Sequence, residues 1–291
     1  MRILIGVDGS TAAAVACEFV AERTWPTGTR VTMLGAAEEP SGDGLQAGTA
    51  ALEITLDERA AHMRQCGLSV ETHLEAGPAA ELLMSRAAET FVDLIVVGSR
   101  GLGPAASAVF GSVSTHLVDH ATCPVLVVRS PEASRMLLAT DGTRSSRSIP
   151  SILGTWGNAF RGLPVEVVSI APHASFVTPW AAENDESDED IRLHEVIAHQ
   201  AADEMMQLGW HAATAVRVGD PYREIVGAGV EWGADLIVTG SRGLGTLHRL
   251  AVGSVAHEVV LHARSSVLVM RGQVPAPVTG LAAALASFSA I

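Results

Sequence analysis

Aromatic residues make up only 4% of this 291-residue sequence, and positive charge is in deficit, leaving a formal charge of −13. So few rings provide no stacking platform for single-stranded nucleic acid. An acidic chain also repels phosphodiester backbones and anionic lipid surfaces. No nucleic-acid or membrane partner is therefore expected. A small anionic ligand stays compatible with the charge, because backbone N–H groups act at contact distance while the net field is screened within about 8 Å. Cysteine is scarce and unpaired: Cys17, Cys66 and Cys123 lie far apart, with no CxxC. Zinc knuckles and a disulfide framework are not indicated, and buried free thiols in a reducing compartment are expected. Met1–Val7 reads as a strand and lacks the charged-then-apolar layout of a signal peptide. No apolar run approaches a bilayer span, the Ala-rich segment 281–291 included. These features read as a cytoplasmic protein.

Several catalytic signatures are missing as well. There is no GxxxxGK[ST], no GxSxG and no HExxH. GSRGLG lacks the GxGxxG arrangement and follows the fourth strand of its unit rather than the first. His116 and His120 share a helix face, but no carboxylate is fixed beside them by spacing; His194/His199 and His257/His262 stand five apart and splay. No metal site is expected.

What the sequence does contain is a repeat. DLIVVGSRGLG at 93–103 answers DLIVTGSRGLG at 235–245, and GSVSTHLVDHATCPVLVV at 111–128 answers GSVAHEVVLHARSSVLVM at 253–270, both at an offset of 142. ILIGVDGS at 3–10 answers LLATDGTR at 137–144 at an offset near 133, so the second half carries about nine extra residues between these anchors. The acidic run ENDESDED at 183–190 reads as the solvated loop that holds them. The expected division is 1–130, 134–272 and a tail at 273–291, with the junction at the polar SPEAS of 130–134.

Within the first half, strand-like runs at 2–7, 30–34, 69–75, 93–97 and 124–128 alternate with helical spacing at 10–22, 46–66, 79–89 and 112–120. The second half repeats the order, with strands at 135–140, 165–170, 211–217, 235–239 and 266–270. Such alternation with unbroken apolar strands predicts, in each half, a five-stranded parallel sheet covered by four helices on its two faces.

Two glycine-containing segments per half suggest chemistry. Gly6-Val7-Asp8-Gly9-Ser10 follows the first strand, matched by Ala139-Thr140-Asp141-Gly142-Thr143. Gly98-Ser99-Arg100-Gly101 follows the fourth, then nine residues, then Gly111-Ser112-Val113; the partner is Gly240-Ser241-Arg242-Gly243, nine residues, and Gly253-Ser254-Val255. Loops at the carboxyl ends of parallel strands meet where strand order reverses. Were the first and fourth strands neighbours there, Asp8 would face the Gly98 loop. Gly98 and Gly101 allow positive φ and close backbone approach. Ser112 is suited to N-cap the following helix, whose free N–H groups and partial positive charge favour phosphate. Asp8 would repel phosphate and so belongs at the ligand's other end, accepting from a ribose hydroxyl or an adenine amino group. Copied turns without any ligand are the plainer alternative.

The G-x2-G-x9-G-[S/T] spacing, the Asp after the first strand and the closing PVLVV-like strand resemble the universal stress protein family in its tandem form, over nearly the whole chain up to about Gly272. The resemblance implies two Rossmann-like α/β domains of the adenine nucleotide alpha hydrolase-like type, ATP in many but not all members, and a homodimer paired through a last strand. Carried over by motif, Asp8 and Asp141 would contact adenine or ribose. Gly98, Gly101, Gly111 and Ser112 would hold the triphosphate in one half, and Gly240, Gly243, Gly253 and Ser254 in the other. Gly6, Ser99, Arg100, Ser241 and Arg242 line the same loops, and Val113 and Val255 complete the helix starts. Mg2+ would accompany ATP through phosphate oxygens and water. The expected role is a regulatory sensor or switch with little or slow ATP turnover; an empty assembly module and a slow ATPase are the alternatives. The halves are not identical. His248 and Arg249 stand in the second nine-residue loop and could meet a γ-phosphate, whereas LGPAASAVF in the first is uncharged. Ala139 in place of Gly6 would narrow the second entrance.

Overall fold

The computed structural model describes residues 1–37, 43–99, 111–172, 188–241 and 253–271. The first half runs β1 (Arg2–Val7), α1 (Thr11–Ala21), β2 (Arg30–Ala37), α2 (Asp43–Gln65), β3 (Ser69–Ala76), α3 (Ala79–Thr90), β4 (Leu94–Gly98), α4 (Ser112–His120) and β5 (Val125–Val128). The second runs β6 (Met136–Ala139), α5 (Arg144–Arg147), α6 (Ile149–Thr155), β7 (Pro164–Pro172), α7 (Asp188–Gln207), β8 (His211–Gly219), α8 (Pro221–Trp232), β9 (Leu236–Gly240), α9 (Ser254–His262) and β10 (Ser266–Met270).

The strands form one ten-stranded sheet in the order β3-β2-β1-β4-β5-β10-β9-β6-β7-β8. Pairing is parallel within each half and antiparallel where β5 meets β10, with Val267, Leu268 and Val269 opposite Val127, Leu126 and Val125. A homodimer through the last strand, expected from the resemblance, has no free edge to use: β5 and β10 each have a neighbour on both sides within one chain. Successive side chains of a strand point to opposite faces. Accordingly Ile3, Ile5 and Val7 belong to a buried layer that also contains residues of α1, α2, α6 and α7, whereas Leu4 belongs to the opposite layer, with residues of α3, α4, α8 and α9. The result is α/β architecture with helices on both faces.

The repeated DLIV segments owe their first residue to fastening. Asp93 Oδ2 accepts the Arg2 N–H at 2.7 Å, and Asp235 accepts the N–H groups of Ser134 and Arg135 at 2.9 and 3.0 Å, tying the start of β4 to β1 and of β9 to β6. Four of the twelve aromatics meet where the halves join on one face. Phe160 lies edge-on to Trp25 at 5.9 Å and 6.3 Å from Phe19, and Trp156 lies 6.4 Å from Trp25. Arg23 covers the Phe19 ring at 4.2 Å and donates to Pro131 O at 2.8 Å.

Three expectations need correction. The second half has five helices among the described residues rather than four, because Pro150 lacks an N–H and separates α5 from α6 where α1 is continuous. Asp188–Asp190 are not loop: they form the first turn of α7, where carboxylates complement the helix dipole. Cys66 is exposed, while Cys17 and Cys123 are buried and pushed up to about 11 by desolvation.

Because one buried cluster runs through both halves, urea unfolding should show a single transition by fluorescence and circular dichroism together. Phe160→Ala should lower the unfolding free energy by about 3–5 kcal/mol; two separate transitions would show that the halves fold independently.

Candidate functional site

In each half the chain reverses strand order beside its first strand: β2 lies on one side of β1 and β4 on the other, and β7 and β9 flank β6 likewise. The carboxyl ends of β1 and β4, and of β6 and β9, therefore frame two crevices at topological switch points. Since β5 and β10 run antiparallel, the two crevices open at opposite ends of the sheet.

At the first crevice Asp8 follows β1. Its Oδ1 accepts the Ser10 N–H at 3.0 Å across Gly9, whose φ of 77° suits glycine. Ser10 then caps α1 by accepting the Ala13 N–H at 3.1 Å. Across the crevice β4 ends in Gly98, and Ser99 follows. The Ser99 N–H donates to Val128 O at 3.0 Å and its carbonyl accepts the Gly111 N–H at 3.1 Å. The loop between them is thus tied at its base, and α4 starts directly beyond the tie. The second crevice repeats this geometry: the Ser241 N–H donates to Met270 O at 2.8 Å and Ser241 O accepts the Gly253 N–H at 2.7 Å. Gly111 and Gly253 are the N-caps of α4 and α9, neither with a side-chain cap. Ser112 is therefore not the N-cap expected but the first helical residue, exposed with Ser254. A Gly cap leaves the first turn's N–H groups without a competing side-chain acceptor. Val113 and Val255 follow, half-buried, each packed against the core.

Other assignments change meaning. Gly98 does not adopt positive φ. An added Cβ there would lie 2.5 Å from the Ala12 carbonyl carbon, so this glycine lets α1 approach β4. Gly240 plays the looser counterpart, its added Cβ falling 3.3 Å from Ser145 Oγ. Gly6 sits within β1, where a Cβ would meet Leu83 and Val97, and Ala139 places its methyl in that same inner layer. Ala139 thus fills core rather than narrowing an entrance. Arg100, Gly101, Arg242, Gly243, His248 and Arg249 lie outside the described residues. His116 and His120 stack at 4.3 Å, with His120 Nδ1 3.0 Å from His116 O.

The halves differ most around Asp141. Its Oδ1 accepts the Thr143 N–H at 3.0 Å and the hydroxyls of Thr143 and Ser146 at 2.7 Å each. Behind this loop, Ser169 Oγ donates to Thr140 O at 2.8 Å and lies 2.7 Å from His194 Nδ1. Ser169 has one proton to give, so Nδ1–H must donate to Ser169, and the neutral ring carries its proton on Nδ1. Burial pushes His194 below its ordinary value of 6.5, against the opposing pull of Asp190 and Asp141. In the first half the matching position on the neighbouring strand is Gly35, one residue beyond the partner of Gly6, and it packs on Leu52 and Leu56. The sequence reading missed this pair. The signal was available as Gly35 and Leu52 exchanged together for Ser169 and His194.

A profile of the Universal stress protein family matches residues 1–129 and again 133–271. The chain belongs to the universal stress protein family. Among its relatives, a universal stress protein of Mycobacterium tuberculosis is 28% identical over 298 residues, spanning 93% of this chain and 96% of that one. One from Mycolicibacterium smegmatis is 25% identical over 307 residues, spanning 92% and 96%. The crystal structure of a universal stress protein from Archaeoglobus fulgidus superposes with a TM-score of 0.65 at 17% identity, covering 93% of this chain and 98% of that one, which speaks for the fold alone. Among the described residues of this universal stress protein, no helix is long and apolar enough to cross a membrane.

A folded-state value below 6.5 makes His194 a source of stability that is complete above pH 6.5 and is lost as pH falls from there through the folded value. Stability measured by urea titration between pH 7.5 and about 5.5 should therefore decline. The double variant Ser169→Gly with His194→Leu, which installs the first half's residues, should flatten that decline; an unchanged slope would remove His194 as its source.

Proposed function

We propose that this universal stress protein binds two ATP molecules, one in each crevice, and acts as a nucleotide-dependent regulator rather than a fast ATPase. The observation that carries the reading is the twice-built crevice itself. An Asp stands at the exit of one strand, opposite a loop whose ends are tied by Ser99–Gly111 or Ser241–Gly253 and which opens a glycine-capped helix. Such a helix start supplies N–H donors and partial positive charge for phosphate groups. Asp8 and Asp141, as acceptors, suit the ribose or adenine end, where they would not oppose the phosphates. Mg2+ would be carried in by the phosphate oxygens and water. The chain's 19 cationic side chains contain no lysine, so it has no P-loop-type Lys to draw a γ-phosphate out, in keeping with slow turnover. Occupancy would bias α4 and α9, which both lie at the seam between halves. Their contact there, His257 Nδ1 to Asp119 Oδ1 at 2.8 Å, gives the switch a route to the rest of the molecule.

Denaturing the freshly purified chain should release adenine nucleotide at about two equivalents. Asp8→Ala and Asp141→Ala should each weaken one of two calorimetric sites about ten- to a hundredfold, the worth of a hydrogen bond to a charged group. Absence of both released nucleotide and calorimetric binding with Mg2+ would leave the chain an assembly module.

A further inference from the structure

Arg129 and Arg271 hold matching places in the repeat, each one residue beyond the last strand of its half. Each follows the last strand of its own half while its side chain crosses to the other, and the Arg129 N–H also reaches across, donating to Ser266 Oγ at 3.1 Å. Arg271 Nη2 donates to Val118 O, near the end of α4, at 2.5 Å. Arg129 Nη2 donates to Val260 O, near the end of α9, at 2.5 Å, and its Nη1 to Ser265 O at 2.8 Å. Val118 and Val260 are themselves 142 residues apart, so one contact is made twice. Both carbonyls belong to the last four of their helices and have no N–H partner along the helix. A guanidinium there also complements the negative end of the dipole. Arg271 is only 6% exposed, and a charge so deeply buried persists only when well partnered.

The residues just before these arginines anchor the candidate loops. Val128 O takes the Ser99 N–H and Met270 O takes the Ser241 N–H. Val128–Arg129 thus holds the first half's loop by its backbone and the second half's helix by its side chain, and Met270–Arg271 does the reverse. We propose that Arg129 and Arg271 are crossed positioning residues: each sets the helix that opens the crevice of the opposite half, and so couples binding in the two crevices. The coupling rests on the ATP reading; the crossed positioning does not.

The test uses the full chain carrying Arg271→Met or Arg129→Met, each combined with Asp8→Ala or Asp141→Ala so that one site is read at a time. Arg271→Met should weaken Mg2+–ATP binding in the first half about fivefold or more, while the second half stays within about twofold; Arg129→Met should do the opposite. Arg→Lys at either position keeps the cation but loses the fork. It should act in the same crossed direction with smaller effect, and it serves where a Met variant does not fold. Weakening confined to the variant's own half, equal in both, or absent from both overturns the proposal. Amide hydrogen exchange of the ligand-free chain gives a readout free of nucleotide. Faster exchange over Ser112–His120 in Arg271→Met, and over Ser254–His262 in Arg129→Met, is expected. If the parent chain binds no ATP, the nucleotide reading and the coupling fall together. The exchange pattern then decides the positioning: crossed supports it, while own-half or uniform change overturns it.

Discussion

The antiparallel seam between β5 and β10 joins two stretches of backbone, Val125–Val127 and Val267–Val269, that would otherwise end their sheets as bare apolar edges. An unpaired edge of that kind invites another chain. Here the partner is covalently attached, so closing the seam has only the entropy of a loop to overcome rather than that of association. Much else follows from this contact. It merges the two inner layers, brings Phe160 against Trp25 and Phe19, and carries Arg129 and Arg271 within reach of the opposite helices. It also fixes the two crevices at opposite ends of one sheet.

Much of this architecture was legible in the residues because local signals agreed. Apolar runs such as LIVV and VLVV bounded by glycine, proline or aspartate gave the strands to within a few residues, and Ser112–His120 came out with its observed ends. The switch-point crevices followed from strand order, since the repeated segments fell at strand exits. The seam did not follow. Val125–Val128 reads the same whether its partner lies in the same chain or another, because main-chain pairing carries no address in side-chain pattern. Cap identity was misread for a related reason: both Gly111 and Ser112 are acceptable caps by type, and only the backbone angles of Gly111 choose between them. Gly98 reads from sequence as a positive-φ position for close approach to a ligand, whereas its role is contact with Ala12, a neighbour distant in sequence. Of the acidic run, 183–187 lie outside the described residues, and Asp188–Asp190 belong to a helix that charge alone does not mark.

The two halves have kept their framework and diverged behind it. Asp93 and Asp235 fasten equivalent strands, and Ser99 and Ser241 tie equivalent loops. Beneath the loops, Gly35 against Leu52 is an apolar contact, while Ser169 with His194 is a buried polar one that reaches the carbonyl of Thr140 beside Asp141. Only a satisfied hydrogen-bond chain makes that exchange tolerable in the core. The chain's cations are all guanidinium groups. Where Arg129 and Arg271 cap helix carbonyls of the other half, the donor therefore keeps its charge at any physiological pH and offers a planar fork.

In a symmetric dimer of one-domain chains, every inherited change is printed on both subunits at once, and a mixture of variants yields mixed assemblies. Joining the two copies head to head within one polypeptide removes that constraint. A change such as Gly to Ser at the second strand of one copy falls on one site alone, and every molecule made carries the same unlike pair. The seam at β5 and β10 thereby turns a duplicated gene into a device with two separately adjustable halves that are always present in equal number.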